Sequence, residues 1–265
     1  AVVYIYPDRE RPLIDLSVNI RGGSYLDPKG KEGLAGLTGS LMARGGIPSL
    51  PADELDEELE FLAARLSSSF GGLNGSVSLN LLSKDVDRGF EILRAVLAAP
   101  SFQEDKLALR KMQALQGLKQ RNDDSRNIES RERNFLAYGE DFWFNRHTTA
   151  ASLEGIRRED LLAFHHEWVH PRNFVVSISG DFDREAMLKR LDGVFAAWPH
   201  PGKKTPPVPQ QREYGKSGVY IVDKDVNQGR VSIILPGIRW DDPDYYAIQM
   251  MNDVLGGGGF TSRIT

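Results

Sequence analysis

The chain opens on an alternation of apolar and polar side chains, the period of a strand with one buried face. Residues 2–6 and 13–20 carry this alternation, and they predict a pair of strands. It returns in residues 74–83, and an apolar run at 173–181 predicts a further strand that ends in a turn. These four segments are the strands that the apolar pattern predicts.

Helical periodicity, with apolar residues three and four positions apart, fills much of the sequence between the strands. Helices are predicted at about 31–44, 52–65, 86–99, 103–138 (in two or three pieces), 158–168 and 183–197. Strands and helices follow each other without a steady βαβ rhythm. This order favours an α+β fold with a mixed, largely antiparallel sheet and helices packed on it.

A proline-rich segment separates this region from the rest of the chain. Residues 198–215 contain five prolines and several polar residues, a composition typical of a stiff, extended linker. We therefore predict a first lobe over residues 1–197 and the start of a second lobe over residues 216–265.

The sequence after the linker repeats the beginning of the chain. Leu16-Ser17-Val18 corresponds to Val231-Ser232-Ile233, and Asp27-Pro28 to Asp242-Pro243, both at an offset of 215 residues. Several matches in register indicate a duplicated lobe, whereas the alternative is two similar strand pairs of independent origin. Because the second copy stops at Thr265, we expect a complete protein to continue for about 150 residues.

The amino-acid composition argues against several classes of function. The 33 Lys and Arg residues against 37 Asp and Glu residues give a net charge of −4, which argues against nucleic acid or an anionic membrane as the main partner. No apolar run approaches the roughly 18 residues of a membrane span. The absence of cysteine excludes disulfides, thiolate metal sites and cysteine nucleophiles. No signal segment precedes Ala1, so the sequence does not indicate a compartment.

Three phrases, in their order and spacing, resemble the pitrilysin/insulinase family of zinc peptidases, which includes the mitochondrial processing peptidase. They are GGSYLDPKGKEGLAGLTGSLMARGG (22–46), SLEGIRREDLLAFHHEWVHPRNFVVSISGDFD (152–183) and NDVLGGGGFTSRI (252–264). The resemblance implies duplicated α+β lobes, of which this chain contains one and the truncated start of another.

The metal-binding motif that the resemblance implies is missing. The family binds zinc with two histidines of an H-x-x-E-H helix, whose glutamate activates the bound water, and with a later glutamate. The corresponding positions are Gly36, Gly39 and Ser40, and the third ligand aligns with Gly117. No Asp or Glu occurs between Lys106 and Asn122, so the third ligand is absent under any nearby alignment. We predict no metal and no catalytic residue at this site.

The residues that replace the motif have a simple structural interpretation. Gly33, Gly36, Gly39 and Ser40 lie on one side of the predicted helix. A glycine inside a helix costs about 1 kcal/mol relative to alanine, so such a stripe indicates close packing against another backbone. Relaxed constraint after the loss of zinc is the alternative.

A second metal motif occurs at His166, Glu167 and His170, which fit H-E-x-x-H. However, His170 directly precedes Pro171, and a residue before proline is forced out of the helical region. We therefore predict a helix C-terminus with histidines near its last carbonyl groups. An active zinc peptidase that uses this motif is the competing hypothesis.

The resemblance implies a non-catalytic subunit that forms a peptide-binding chamber with an active homologue, as a heterodimer. Zinc is then expected only in that partner, and this chain needs no cofactor. Unfolded peptide would add to an edge strand near Ser67, Ser68 and Ser69. By analogy with two-subunit bacterial members, we expect a periplasmic location. A third hypothesis is a binding or assembly module without a peptidase partner.

Overall fold

The computed structural model describes residues 1–196, 198–199, 202–210 and 215–265. Five strands form one sheet. They are β1 (Val2–Pro7), β2 (Leu13–Arg21), β3 (Arg65–Phe70), β4 (Asn74–Leu82) and β5 (Phe174–Gly180). The α-helices are α1 (Leu34–Met42), α2 (Ala52–Phe61), α3 (Val86–Ala98), α4 (Glu104–Gln120), α5 (Ser125–Tyr138), α6 (Ala150–Gly155), α7 (Arg158–Trp168), α8 (Arg184–Phe195) and α9 (Tyr245–Asn252).

The strand order across the sheet is β1-β5-β2-β4-β3. β1 pairs with β5 in parallel, and the other three pairings are antiparallel. The predicted α+β class and largely antiparallel sheet are confirmed. The predicted pairing of β1 with β2 is wrong, because β5 lies between them. Its apolar sequence, FVVSIS, suits the interior of a sheet better than an edge.

One face of the sheet forms the core. The inward side chains of β2 are Ile14, Leu16, Val18 and Ile20, each at most 2% exposed. They belong to a single continuous cluster of buried apolar residues that also includes side chains of helices α1, α3, α7 and α8. Each such side chain contributes about 1.5–3 kcal/mol by leaving water. This cluster fixes α1 and β3, which frame the candidate site.

The opposite face of the sheet is lined by small polar side chains. Ser177, Ser17, Ser78 and Ser67 lie in register across four neighbouring strands, and Tyr4 continues the row on β1. These residues line a shallow, open depression on this face of the sheet. The two outer strands, β1 and β3, also differ in whether the main-chain groups at their free edges are hydrogen-bonded. On β1, Arg184 Nη1 donates a hydrogen bond to the main-chain oxygen of Ile5 over 3.2 Å.

Residues 215–265 contain helix α9, and no strand occurs among them. Val231 and Ile233 are 90% and 87% exposed, whereas their repeat counterparts Leu16 and Val18 are 2% and 0% exposed. A strand requires a neighbour for its main-chain N–H and C=O groups, and the described residues offer none here. The strand pattern repeated in this segment therefore remains unpaired.

None of the helices in the described part of the chain is both long and apolar enough to cross a bilayer.

Candidate functional site

The buried carboxylate of Asp27 binds the main chain at the start of helix α1. The two oxygens of Asp27 accept hydrogen bonds from the main-chain nitrogens of Gly33 (2.9 Å) and Ala35 (2.8 Å). Gly33 has a φ of 104°, a left-handed conformation that favours glycine at the helix start. Burial raises the pKa of Asp27 to about 6, although these hydrogen bonds and Arg146 act to lower it. The carboxylate thus fixes where α1 enters the site.

Gly39, at the position of the missing catalytic base, lies directly against strand β3. A Cβ placed on Gly39 would be 2.2 Å from the main-chain nitrogen of Phe70, closer than atoms can approach. The helix and the strand therefore touch backbone to backbone. The predicted close packing is confirmed at this residue, and the space beside it admits no side chain.

The hydroxyl of Ser68 completes this contact. Ser68 Oγ donates to the main-chain oxygen of Gly39 (2.5 Å) and accepts from the main-chain nitrogen of Ala43 (2.9 Å). These two groups are four residues apart and would bond each other in an uninterrupted helix. The hydroxyl is inserted between them, and α1 ends at Met42.

The two positions of the lost histidines face away from β3. Gly36 is exposed, and a Cβ placed on it would meet no atom within 4 Å. The half-buried Ser40 donates its hydroxyl to the main-chain oxygen of Leu37 over 3.0 Å. Close packing does not explain Gly36, so the predicted stripe divides into a packed residue and an open one.

Gly117, the position of the third ligand, lies on the exposed side of α4 and also has open space around it. The four positions together supply one side-chain oxygen, the Ser40 hydroxyl, which is neutral and already bonded. Zinc sites in proteins use imidazole, thiolate and carboxylate groups. The residues present do not fit a zinc ion.

β3 is an edge strand of the sheet, as predicted near Ser67, Ser68 and Ser69. Its three serines do not form one cluster, because side chains alternate between the faces of a strand. Ser68 faces α1, whereas Ser67 and Ser69 face the open side, where the hydroxyls of Ser69 and Ser76 lie 3.2 Å apart. Any peptide contact shared by all three must therefore involve the main chain.

The main chain of β3 has an open side. Gly71 N donates to Asn74 O over 2.8 Å beside the hairpin loop, which makes these residues a hydrogen-bonded pair. In an antiparallel ladder such pairs alternate with pairs whose main-chain groups point outward. By this alternation the N–H and C=O groups of Leu66 and Ser68 point away from β4, where no described strand pairs with them.

The second metal motif is not assembled. His166 lies in α7, which ends at Trp168, and His170 is extended, with φ −160° and ψ 161°. This confirms the predicted helix end before Pro171. The His170 ring is buried, with Nδ1 accepting from Arg172 N and Nε2 donating to Lys203 O over 2.7 Å. Desolvation lowers the pKa of His170, which favours this neutral form.

Glu167 also has other partners. Its carboxylate pairs with Lys203 Nζ at 2.7 Å, and its main-chain oxygen accepts from Lys203 N at 2.8 Å. Across the described ranges, no group of three or more His, Cys, Asp or Glu side chains is arranged to hold a metal ion. The motif closes the end of α7 and anchors the following linker.

Two structural roles have little signal in the sequence. For Asp27 at the start of α1, the signal is its repetition in the second Asp-Pro pair. Tyr25 and Trp143 have no such signal. They lie 6.0 Å apart in an edge-to-face arrangement, and each donates a hydrogen bond to a linker proline. Nothing local in the sequence indicates those contacts.

Comparison with protein families gives two matches. The profile of the insulinase family (peptidase family M16) matches residues 3–141, and that of the peptidase M16 inactive domain matches residues 155–265. An uncharacterized zinc protease of Rickettsia bellii is 21% identical over 244 residues, which cover 91% of this chain and 58% of that protein. Subunit 1 of the bovine mitochondrial cytochrome b-c1 complex is 21% identical over 257 residues, covering 93% of this chain and 52% of that subunit.

Solved structures give the same result for the fold. A peptidase M16 inactive domain from Pseudomonas fluorescens superposes with a TM-score of 0.81 at 26% identity, covering 99% of this chain and 63% of that one. The first half of the periplasmic protease PqqL from Escherichia coli gives 0.68 at 16% identity, covering 80% and 47%. The chain thus spans between half and three fifths of the curated relatives it matches.

Proposed function

Because the chain belongs to the insulinase family of peptidases (M16), we propose that it is a non-catalytic part of a zinc peptidase, working with an active homologue. One observation carries this proposal. The four positions of the family's zinc site offer a single neutral hydroxyl, and α1 contacts β3 where the catalytic base would stand. Cleavage would then be carried out by the partner, and zinc would reside there.

In this proposal the chain contributes a wall of the chamber that holds unfolded peptide. The outward main-chain groups of Leu66 and Ser68 on β3 would pair with the backbone of an extended peptide. Backbone pairing is independent of sequence, which suits a chamber for varied peptides. Ser67 and Ser69 would lie beside the alternate side chains of that peptide, on the open face.

We further propose that residues 216–265 begin a second lobe, joined to the first through the linker at 198–215. The exposed Val231 and Ile233, whose counterparts in the first lobe are buried, support this assignment. An extracytoplasmic location is proposed from the fold shared with a protease described as periplasmic, and from the family's two-subunit bacterial members.

A second candidate is an assembly module without proteolysis. It is favoured by one finding, that a relative is named as a subunit of a respiratory complex rather than as a peptidase. Both candidates require a protein partner, and they differ in whether the assembled complex cleaves peptide.

The test measures cleavage of a mixture of quenched fluorescent peptides. The chain is assayed alone with equimolar zinc, and then with an H-x-x-E-H homologue from the same family. We expect no cleavage by the chain alone and cleavage by the mixture, abolished when the homologue's glutamate is replaced by glutamine. Chelator-sensitive cleavage by the chain alone would exclude the proposal. A stable complex without cleavage would favour the assembly module.

Strand addition is tested on the complex with matched peptides. One extended peptide is compared with the same sequence carrying methyl groups on alternate backbone nitrogens. Methylation in the register that faces β3 removes the donors, so we expect at least tenfold weaker binding than with methylation in the other register. Equal affinities for the two registers would argue against pairing at β3.

A further inference from the structure

The proline-rich linker is attached to the first lobe along its described part. Residues 202–210 contain no helix or strand, and most of their side chains are exposed. Such a segment would be free to move unless its main chain were bound. Instead, main-chain groups at Lys203, Thr205, Pro206 and Pro209 are hydrogen-bonded to the lobe.

The first attachment is at Lys203. Its main-chain oxygen accepts from His170 Nε2 (2.7 Å) and from Asn173 Nδ2 (3.0 Å), while its nitrogen donates to Glu167 O (2.8 Å). His170 and Asn173 are each only 1% exposed. Both donors are thus held rigidly by the lobe and point at one carbonyl group.

The second attachment uses two aromatic side chains. Tyr25 Oη donates to the main-chain oxygen of Pro206 over 3.1 Å, and Trp143 Nε1 donates to that of Pro209 over 3.2 Å. Thr205, directly before Pro206, is half-buried, with its methyl group against Gly22, where a Cβ would come within 3.2 Å. Proline residues restrict φ, so little conformational entropy is lost when the segment binds.

We propose that Tyr25, Trp143, His170 and Asn173 form a binding site for an extended, proline-rich segment, and that its ligand is residues 203–209 of the same chain. The chemistry resembles that of polyproline recognition, in which aromatic side chains donate hydrogen bonds to the carbonyl groups of an extended helix. The site does not depend on a peptidase partner. Binding at this site gives the linker a fixed path along the lobe, and residues 203–209 are called the strap below.

The residues that hold the strap also contact the turn of the β3–β4 hairpin. Ser24 N and Tyr25 N donate to the main-chain oxygens of Gly71 (2.9 Å) and Gly72 (3.2 Å), and the Trp143 ring lies beside Gly72. Tyr25 and Trp143 therefore contact both the strap and this turn.

The site is tested by trypsin cleavage of the Lys204–Thr205 bond in the full chain, monitored by mass spectrometry. A protease cuts this bond when the strap detaches. Tyr25→Phe and Trp143→Phe each remove one donor and keep an aromatic side chain, so each should raise the cleavage rate about fivefold, and the double variant about 25-fold. Tyr4→Phe with Trp240→Phe is the matched control, since both residues are exposed and no hydrogen bond is seen for either ring.

A second pair of variants approaches the strap from its own side. Pro206→Gly with Pro209→Gly keeps every carbonyl acceptor and leaves the lobe intact, but it raises the entropy lost on binding. We expect a similar rise in cleavage, and the two effects should multiply when it is combined with Tyr25→Phe, because both act on the same detachment of the strap. Cleavage within twofold of the wild type in both double variants would overturn the proposal.

Discussion

The hydroxyl of Ser68 stands between the main-chain oxygen of Gly39 and the nitrogen of Ala43, in place of a helical hydrogen bond. One side chain of the edge strand thus ends the helix that carries the zinc motif in active relatives. The same contact holds β3 in its position at the margin of the sheet. Ser68 therefore contributes both to the stability of the fold and to the shape of the candidate site.

Ser68→Ala should lower the free energy of unfolding by about 1–3 kcal/mol. The substitution leaves the buried N–H of Ala43 and the Gly39 carbonyl without their partner, and an unsatisfied buried group costs about that amount. Urea denaturation of the wild type and the variant measures the difference. Ser67→Ala is the control, because the Ser67 hydroxyl faces the open side of the sheet. This substitution should change the free energy of unfolding by less than about 0.5 kcal/mol. Equal losses for the two variants would refute the role of Ser68.

Alanine at Gly39 and at Gly36 should have opposite effects. Gly39→Ala places a methyl group 2.2 Å from Phe70 N, and the resulting displacement of α1 should cost about 2 kcal/mol or more. Gly36→Ala meets no neighbour and should stabilise the helix by up to about 1 kcal/mol. Thermal and urea unfolding of both variants provide the comparison. A stable Gly39→Ala protein would show that α1 and β3 are not in backbone contact.

Asp27 should make stability depend on pH. Its pKa is about 6 in the folded chain against 3.8 in a free side chain, because burial disfavours the carboxylate. The folded state therefore binds the proton more tightly, and this stabilisation is full below about pH 4 and is lost as the pH rises through 6. The free energy of unfolding of the wild type, relative to Asp27→Asn, should fall by on the order of 2 kcal/mol between pH 4 and pH 7.

The measurement is urea denaturation across that range in both proteins. Asp141→Asn serves as control for the substitution, since the Asp141 side chain is 99% exposed. A wild-type advantage over Asp27→Asn that grows toward neutral pH would show that the hydrogen bonds from Gly33 and Ala35 outweigh desolvation.

Zinc should not stabilise the chain. Both ring nitrogens of His170 are engaged, and the other members of the H-E-x-x-H motif do not converge with it. A hundredfold excess of zinc over the protein should therefore leave the melting temperature unchanged, whereas a ligand at 100 times its dissociation constant adds about 2.7 kcal/mol. A zinc-dependent rise that disappears in His166→Ala would restore the motif as a metal site. His170→Ala should lower the melting temperature with or without zinc.

The sequence predicted those features that local chemistry decides. The end of α7 before Pro171 follows from a steric clash between neighbouring residues, and it is where the prediction placed it. The insertion of β5 between β1 and β2 involves residues some 170 positions apart, which no local pattern specifies. Long-range pairing was therefore the feature that sequence reasoning missed in the sheet.

The candidate site shows the same division. Gly36 and Gly39 are the same residue in the same helix, yet one meets open space and the other a strand. Only the neighbour distinguishes them, and the neighbour comes from another part of the chain. The sequence does predict that Ser68 and Ser67 face opposite sides of β3, since side chains alternate and the apolar Leu66 and Phe70 mark the side shared by Ser68. It does not predict that the Ser68 hydroxyl inserts into α1.

Arg184 makes the two edges of the sheet unequal. Its guanidinium donates a hydrogen bond to the main-chain oxygen of Ile5, so a strand approaching β1 would have to displace a charged side chain. At the other edge, β3 has main-chain groups that no described strand pairs with. Under the proposed strand addition, β3 would receive one extended guest, while the Arg184 contact would hinder the pairing of a further copy at β1 and so oppose growth of the sheet into a fibre.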